Sequence, residues 1–308
     1  MNSDINAAKP KRLSDSFSAL PALVALMQAL DGSAGAVLDE SLVSEPDYEI
    51  PRRLNRILDH VLTLAEGAID VEDPDRETVL GATKELMFEI SSATEYLRSI
   101  LSELGKSQSA EKKISRPAQA AIDKLAALEF KVPHNKIKHD SFDLEWVTVT
   151  GDGRKPLHGF TVNGLVEPKV IGSGHHRFGT AALSEGYSYS LFVRRATEIF
   201  YRQCQEVEAA VRKMFAKELQ GSPVLSAPNA GPQTTIGRIV DRLSRQPFEG
   251  FENEHRQQVP ELAFADGSLV VVRTRMLRFT SAGYTVSSHM TARKGHAFRL
   301  PYWKKPDH

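Results

Sequence analysis

Apolar residues recur through the first part of this chain at intervals of three and four, and later, in two separate stretches, at intervals of two. Phe17, Leu20, Val24, Met27 and Leu30 fall at helical spacing, with Asp31-Gly32 as the expected close. A second helix is predicted to start near Tyr48, with Pro51 tolerated in its first turn. Its apolar stripe is Leu54, Ile57, Leu58, Val61, Leu62 and Ala65. The third helix is the clearest. Asp75 is placed to cap it, Gly105 to stop it, and Val79, Thr83, Leu86, Ile90, Ala93, Leu97, Ile100 and Leu104 alternate steps of four and three. A seam of that length suits the long helix of an antiparallel bundle or a dimer interface, and neighbouring helical segments that also need partners favour the bundle. A fourth helix is predicted over Arg116 to Glu129.

The period then changes. Phe142, Leu144, Trp146 and Thr148 alternate with Asp143, Glu145 and Val147, Gly151-Asp152-Gly153 supplies a turn, and Gly159 to Val166 a return strand. Helical spacing resumes from Tyr187 to Leu219, with Phe192, Ala196, Ile199, Val207, Val211 and Met214 as the inner stripe. Pro223, Pro228 and Pro232 among small residues give the next stretch the composition of a linker. Beyond it come a short helix (Ile236 to Arg245) and three strands: Leu269 to Phe279, one around Tyr284 to Ala292, and one marked by Phe298, Leu300 and Tyr302. The fold class is therefore α+β. It is read as a disordered tail over 1–15, a mainly helical bundle over 16–220 with a β insertion at about 140–185, a linker over 221–235, and a small basic β-rich module over 236–308.

With 41% hydrophobic and 25% charged residues, the chain is globular in composition. No apolar run approaches the roughly 20 residues that span a bilayer. The N-terminal segment lacks the apolar core of a secretory signal, and a cytoplasmic location is expected. A single cysteine, Cys204, excludes an intramolecular disulfide and a zinc site built on several thiolates. Its helical spacing makes it a small core-lining residue. Formal net charge is zero, yet the charges are segregated. Between Asp39 and Leu104 there are sixteen Asp and Glu against six Lys and Arg, whereas Gly267 to Pro306 holds no acid at all. That basic stretch includes Arg273, Arg275 and Lys294. It either packs against the acidic part of the chain, or mediates self-association, or offers a surface to a polyanion.

One hexapeptide reads as chemistry: His134-Asn135-Lys136-Ile137-Lys138-His139, directly after Pro133. On a helix, Asn135 and His139 share a face at i,i+4, and Lys138 lies beside Asn135 at i,i+3. Lys138 and Asn135 would hold a phosphate next to His139, which moves protons near neutral pH. His134 and His139 are the candidate catalytic pair, although five residues place them about 140° apart around a straight helix. The bland alternative is a short solvated helix capped by His139.

The hexapeptide resembles the signature of HEPN domains, small helical bundles of prokaryotic toxin–antitoxin and antiphage systems, in which an arginine precedes a histidine by four to six residues. His139 matches the family histidine and Asn135 its polar residue, while His134 stands at the arginine position. The resemblance implies an RNA or other phosphorylated ligand. On the residues themselves, any ribonuclease chemistry would be metal-independent and without a cofactor, and the two histidines would meet only across a dimer or on an irregular helix. His134 departs from the family pattern, in which the arginine helps bind or polarise the scissile phosphate. Arg194 or Arg195, on the long helix that follows, would have to supply that guanidinium. The competing class is a non-catalytic assembly subunit that uses the heptad helix to bind a partner or a second copy. No metal site is expected: His175-His176 are adjacent, project apart, and have Arg177 beside them.

Overall fold

The long helices of this protein bury far more than one seam each, and that excess decides the architecture. A computed structural model describes residues 16–18, 22–34, 45–140, 142–151, 155–167, 170–173, 186–217, 219, 235–246, 248–251, 254, 258–265, 268–277, 284–289 and 297–298. The tail, the proline-rich linker, His175-His176 and Lys294 lie outside those residues. The elements run β1 (Ser16–Ser18), α1 (Ala22–Ala34), α2 (Pro46–Gly67), α3 (Arg76–Ser107), a π-helical turn (Glu111–Ser115), α4 (Arg116–Ala126), a second π-helical turn (Ala127–Lys131) and α5 (Val132–His139). There follow β2 (Asp143–Gly151), β3 (Leu157–Glu167), β4 (Val170–Ser173), β5 (Tyr187–Ser188) and α6 (Tyr189–Met214). The order closes with α7 (Thr235–Ser244), β6 (Gln258–Ala265), β7 (Ser268–Met276), β8 (Tyr284–His289) and β9 (Ala297–Phe298). This is an α+β, mainly helical fold.

Asp75 caps α3 by accepting from the Thr78 N–H, as its place before the apolar run predicts. All eight seam residues from Val79 to Leu104 are buried, but so are Met87, Ser91, Thr94, Tyr96 and Leu101. A stripe that wide belongs to the inside of a bundle, not to a two-stranded coil. The seam is thus consumed within the chain, by packing against α2, α4 and α6. Gly105 does not stop the helix, which runs on to Ser107. Its role is close approach: a Cβ there would sit 2.6 Å from that of Ser115, whose hydroxyl donates to the Leu101 carbonyl at 2.6 Å. Two further expectations shift. Phe17 lies in β1, not in the first helix, and that helix continues past Gly32 to Ala34. The predicted fourth helix is widened at Ala127–Lys131 and continues into α5.

Helix α6 is the centre. From Tyr189 to Tyr201 every residue except Arg195 is buried. One side meets α1, α2, α3 and α4, and the other meets β3 and β6. Where it meets the sheet, Phe160 lies 5.0 Å from the rings of both Tyr187 and Phe192, and Trp146 lies 5.5 Å from Tyr189. The Tyr189 hydroxyl bonds Thr83 at 3.0 Å and thereby ties the sheet-facing end of α6 to α3. Cys204 is buried in this core with its thiol pushed up by that burial, which leaves it an inert packing residue. The N-terminus of α6 is buried as well. Ser188 accepts from the Leu191 N–H through its hydroxyl oxygen, and Glu254, fully buried, accepts from the Ser188 N–H, the Ser188 hydroxyl and the Phe251 N–H.

The two β regions that the sequence separates share a sheet. β2 pairs antiparallel with β3 and, on its other edge, with β8; β4 pairs with β3 and, in parallel, with β9. The second sheet has the order β1-β7-β6, so a strand from the start of the chain completes the basic C-terminal hairpin. A buried polar relay crosses the first sheet: the Trp146 indole donates to Thr148 (2.8 Å), Thr148 bonds His158 Nδ1 (3.0 Å), and His158 Nε2 bonds the Val71 carbonyl (2.8 Å). With His158 neutral and its proton on Nε2, each donor in the relay finds one acceptor.

Leu97, with no exposed surface at the middle of α3, sets the first prediction. Leu97→Ala should lower stability by about 2–5 kcal/mol in a denaturant titration. The relay sets the second. Burial, aided by Arg76 and opposed by the bond to Val71, holds His158 below the ordinary histidine value, so the unfolded chain takes up the proton first. Stability is then intact above the unfolded value of about 6.5 and is lost as pH falls below it. Denaturation midpoints taken from pH 7.5 to pH 5 should therefore fall, and fall less in His158→Gln.

Candidate functional site

The hexapeptide forms most of α5, and the helix is built from local signals. The π-helical turn Ala127–Lys131 hands the chain on from α4, Pro133 sits in the first turn where its missing N–H costs nothing, and Asp140 closes the last turn by donating its N–H to Lys136. Lys131, just upstream, is pinned between Glu95 (2.8 Å) and Asp123 (2.9 Å). Burial works against its charge, but the two carboxylates hold Lys131 above the usual lysine range. This ion network fixes the start of α5 on the flank of α3.

On α5 the residues separate as their helical positions dictate. Asn135, Lys138 and His139 are exposed together on one face. Lys136 is half-buried, bridges Asp140 at 2.9 Å and lies 5.2 Å from the Phe142 ring centre. His134 turns the other way, half-buried against Phe88, with ring centroids 5.8 Å apart. Burial, then the neighbouring charges of Lys138 and His139, push His134 below the ordinary histidine value, so its imidazole is neutral at pH 7. The two histidines do not converge within one chain.

Neither candidate arginine reaches α5. Arg194 is buried, donates to the Leu243 carbonyl at 2.8 Å and lies 4.1 Å from the Phe248 ring centre; burial, partly opposed by Glu261, pushes it down to about 10. Arg195 donates to the Gln258 carbonyl at 2.7 Å and reaches Glu198 at 3.5 Å. Of the basic C-terminal residues, Arg273 and Arg275 both bond Glu261, and Arg275 also lies over Phe248. Those two cations are therefore engaged within the chain. Lys294 lies outside the described residues.

What the sequence reading missed is a cleft of about 280 Å³ between α6, the end of α4 and the β6–β7 hairpin. It holds Arg195 together with Glu198 and Arg202 from the same face of α6, opposite Pro260 and Thr274. The signal was present: three charges at i, i+3 and i+7 on a helix that is otherwise apolar at its core positions. No group of three or more metal-ligating side chains exists among the described residues, and no helix among them is long and apolar enough to cross a membrane. Compared with protein families, curated proteins and solved structures, the chain matches none of them.

The depressed histidine gives a direct check on this geometry. Phe88 is 48% exposed, so its removal should leave the core intact while uncovering the imidazole. In Phe88→Ala, an NMR titration should find the His134 pKa raised towards the ordinary value; an unmoved value would mean that the ring contact does not set it.

Proposed function

We propose that this is a HEPN-like binding protein that engages RNA or another phosphorylated ligand on the exposed face of α5 and does not cleave it. The observation that carries the reading is the division of α5. Asn135, Lys138 and His139 lie together in solvent, while His134, at the family's arginine position, is turned into Phe88. An exposed ammonium beside an amide and an imidazole suits ground-state contact with phosphate. A neutral, half-buried imidazole in place of the arginine supplies no positive charge to a phosphoryl transition state. The protein in this reading acts in the cytoplasm, where a defence or toxin–antitoxin protein meets its RNA. The competing assembly reading loses its main support, because the heptad residues of α3 already pack inside the bundle.

The test separates binding from catalysis. Fluorescence anisotropy with a single-stranded RNA should show affinity that falls steeply as salt rises. Lys138→Ala should weaken binding more than His139→Ala, because the ammonium meets phosphate in the ground state. Metal-independent cleavage that yields cyclic-phosphate ends and disappears in His139→Ala would overturn the reading and make the protein a ribonuclease.

A further inference from the structure

The cleft on α6 has chemistry of its own, separate from α5. Glu198 is 3% exposed, and both of its oxygens are engaged: Arg195 Nη1 approaches Oε1 at 3.5 Å, and Arg202 Nε donates to Oε2 at 2.8 Å. Two guanidiniums on one carboxylate leave one positive charge uncompensated. Because the carboxylate is buried and fixed, that surplus cannot be relieved by rearrangement of Glu198. Arg195 is held further by the Gln258 carbonyl, and its Nε is buried with no hydrogen-bond partner among the described residues. Arg202 is the freer of the two. Only its Nε is used on Glu198, its side chain is 35% exposed, and its terminal nitrogens have no partner among the described residues.

The rest of the cleft is mixed: Gln258 and Thr274 line it together with apolar residues. Phe130 and Ile199, both buried, and the half-buried Leu125 line it beneath the arginines. Its volume of about 280 Å³ lies just below the range of small-molecule pockets, which suits a small ligand. Charge and size together select among anions. A carboxylate carries one negative charge, equal to the surplus, and can accept two parallel N–H bonds from a guanidinium. A phosphate monoester brings about −1.5 to −2 at neutral pH and would leave charge uncompensated beside Glu198.

We infer that this cleft binds a small organic monocarboxylate. The carboxylate accepts from the terminal nitrogens of Arg202, and the body lies against Leu125, between Gln258 and Thr274. Thr274, on the opposite wall, faces the ligand from β7 and limits its size.

Calorimetric titration of the full chain with benzoate, benzamide and phenyl phosphate tests this directly. Benzoate should bind saturably, with benzamide and phenyl phosphate weaker by about tenfold or more. Arg202→Gln should weaken benzoate by about tenfold or more. Thr274→Phe, which changes no charge and fills the cleft from an exposed strand position, should abolish benzoate binding and supplies a second variant should Arg202→Gln fold poorly. RNA anisotropy on the same Thr274→Phe protein should be unchanged, which keeps this site distinct from α5. The inference is overturned if benzoate does not bind, if benzamide or phenyl phosphate binds as tightly, or if Thr274→Phe leaves benzoate affinity intact.

Discussion

A single carboxylate holds the start of the central helix. The first N–H groups of α6 have no partners within the helix, and here they are buried, so water cannot satisfy them. Ser188 bonds the Leu191 N–H, and Glu254, sixty-six positions further along the chain, takes both the Ser188 N–H and its hydroxyl while bonding Phe251. The positive end of the helix dipole adds to the attraction. Space is tight around this anchor. A Cβ on Gly159 would fall 2.1 Å from the Tyr187 carbonyl oxygen, and one on Gly250 would fall 2.7 Å from Glu254 Oε2. Both glycines are requirements of that close packing.

From that fixed start, α6 serves two layers at once. Its buried circumference divides between the helical bundle and the aromatic cluster of the sheet, and the Arg195–Glu198–Arg202 stripe borders the cleft. The two candidate sites follow from this arrangement. The cleft is what remains where the apolar surface of α6 gives way to charge under the β6–β7 hairpin. The α5 face is what remains where α4 continues past the bundle through a π-helical turn.

Period and punctuation made much of this legible. The α3 seam, the Asp75 cap, the β2–β3 hairpin and the short helix α7 all stand within a few residues of where the spacing puts them. Pairing across long separations did not show. That β2 would take β8 as a neighbour, or β7 take β1, depends on which edges are left bare after folding, and no local pattern records that. Gly105 misled for a related reason: a glycine that stops a helix and a glycine that admits a neighbour look alike until the neighbour, Ser115, is known. At the site, the exposed Asn135–Lys138–His139 face was readable from the turn of the helix. The turning of His134 onto Phe88 was not, because Phe88 lies on another helix. Arg195, Arg273 and Arg275 were recognisable as cations, but their engagement by Gln258 and Glu261 is a tertiary fact.

The pairing of β8 with β2 also orders events during synthesis. Some 130 residues separate the two strands, which at ribosomal speeds puts β8 behind β2 by on the order of ten seconds. Throughout that interval one edge of β2, rich in Val and Thr, stays bare, with its backbone donors and acceptors turned outward. The nascent chain thus passes through a stage in which this edge is open to pairing. Whatever shields that edge meanwhile, a chaperone or a neighbouring chain, competes directly with β8 for the same row of hydrogen bonds.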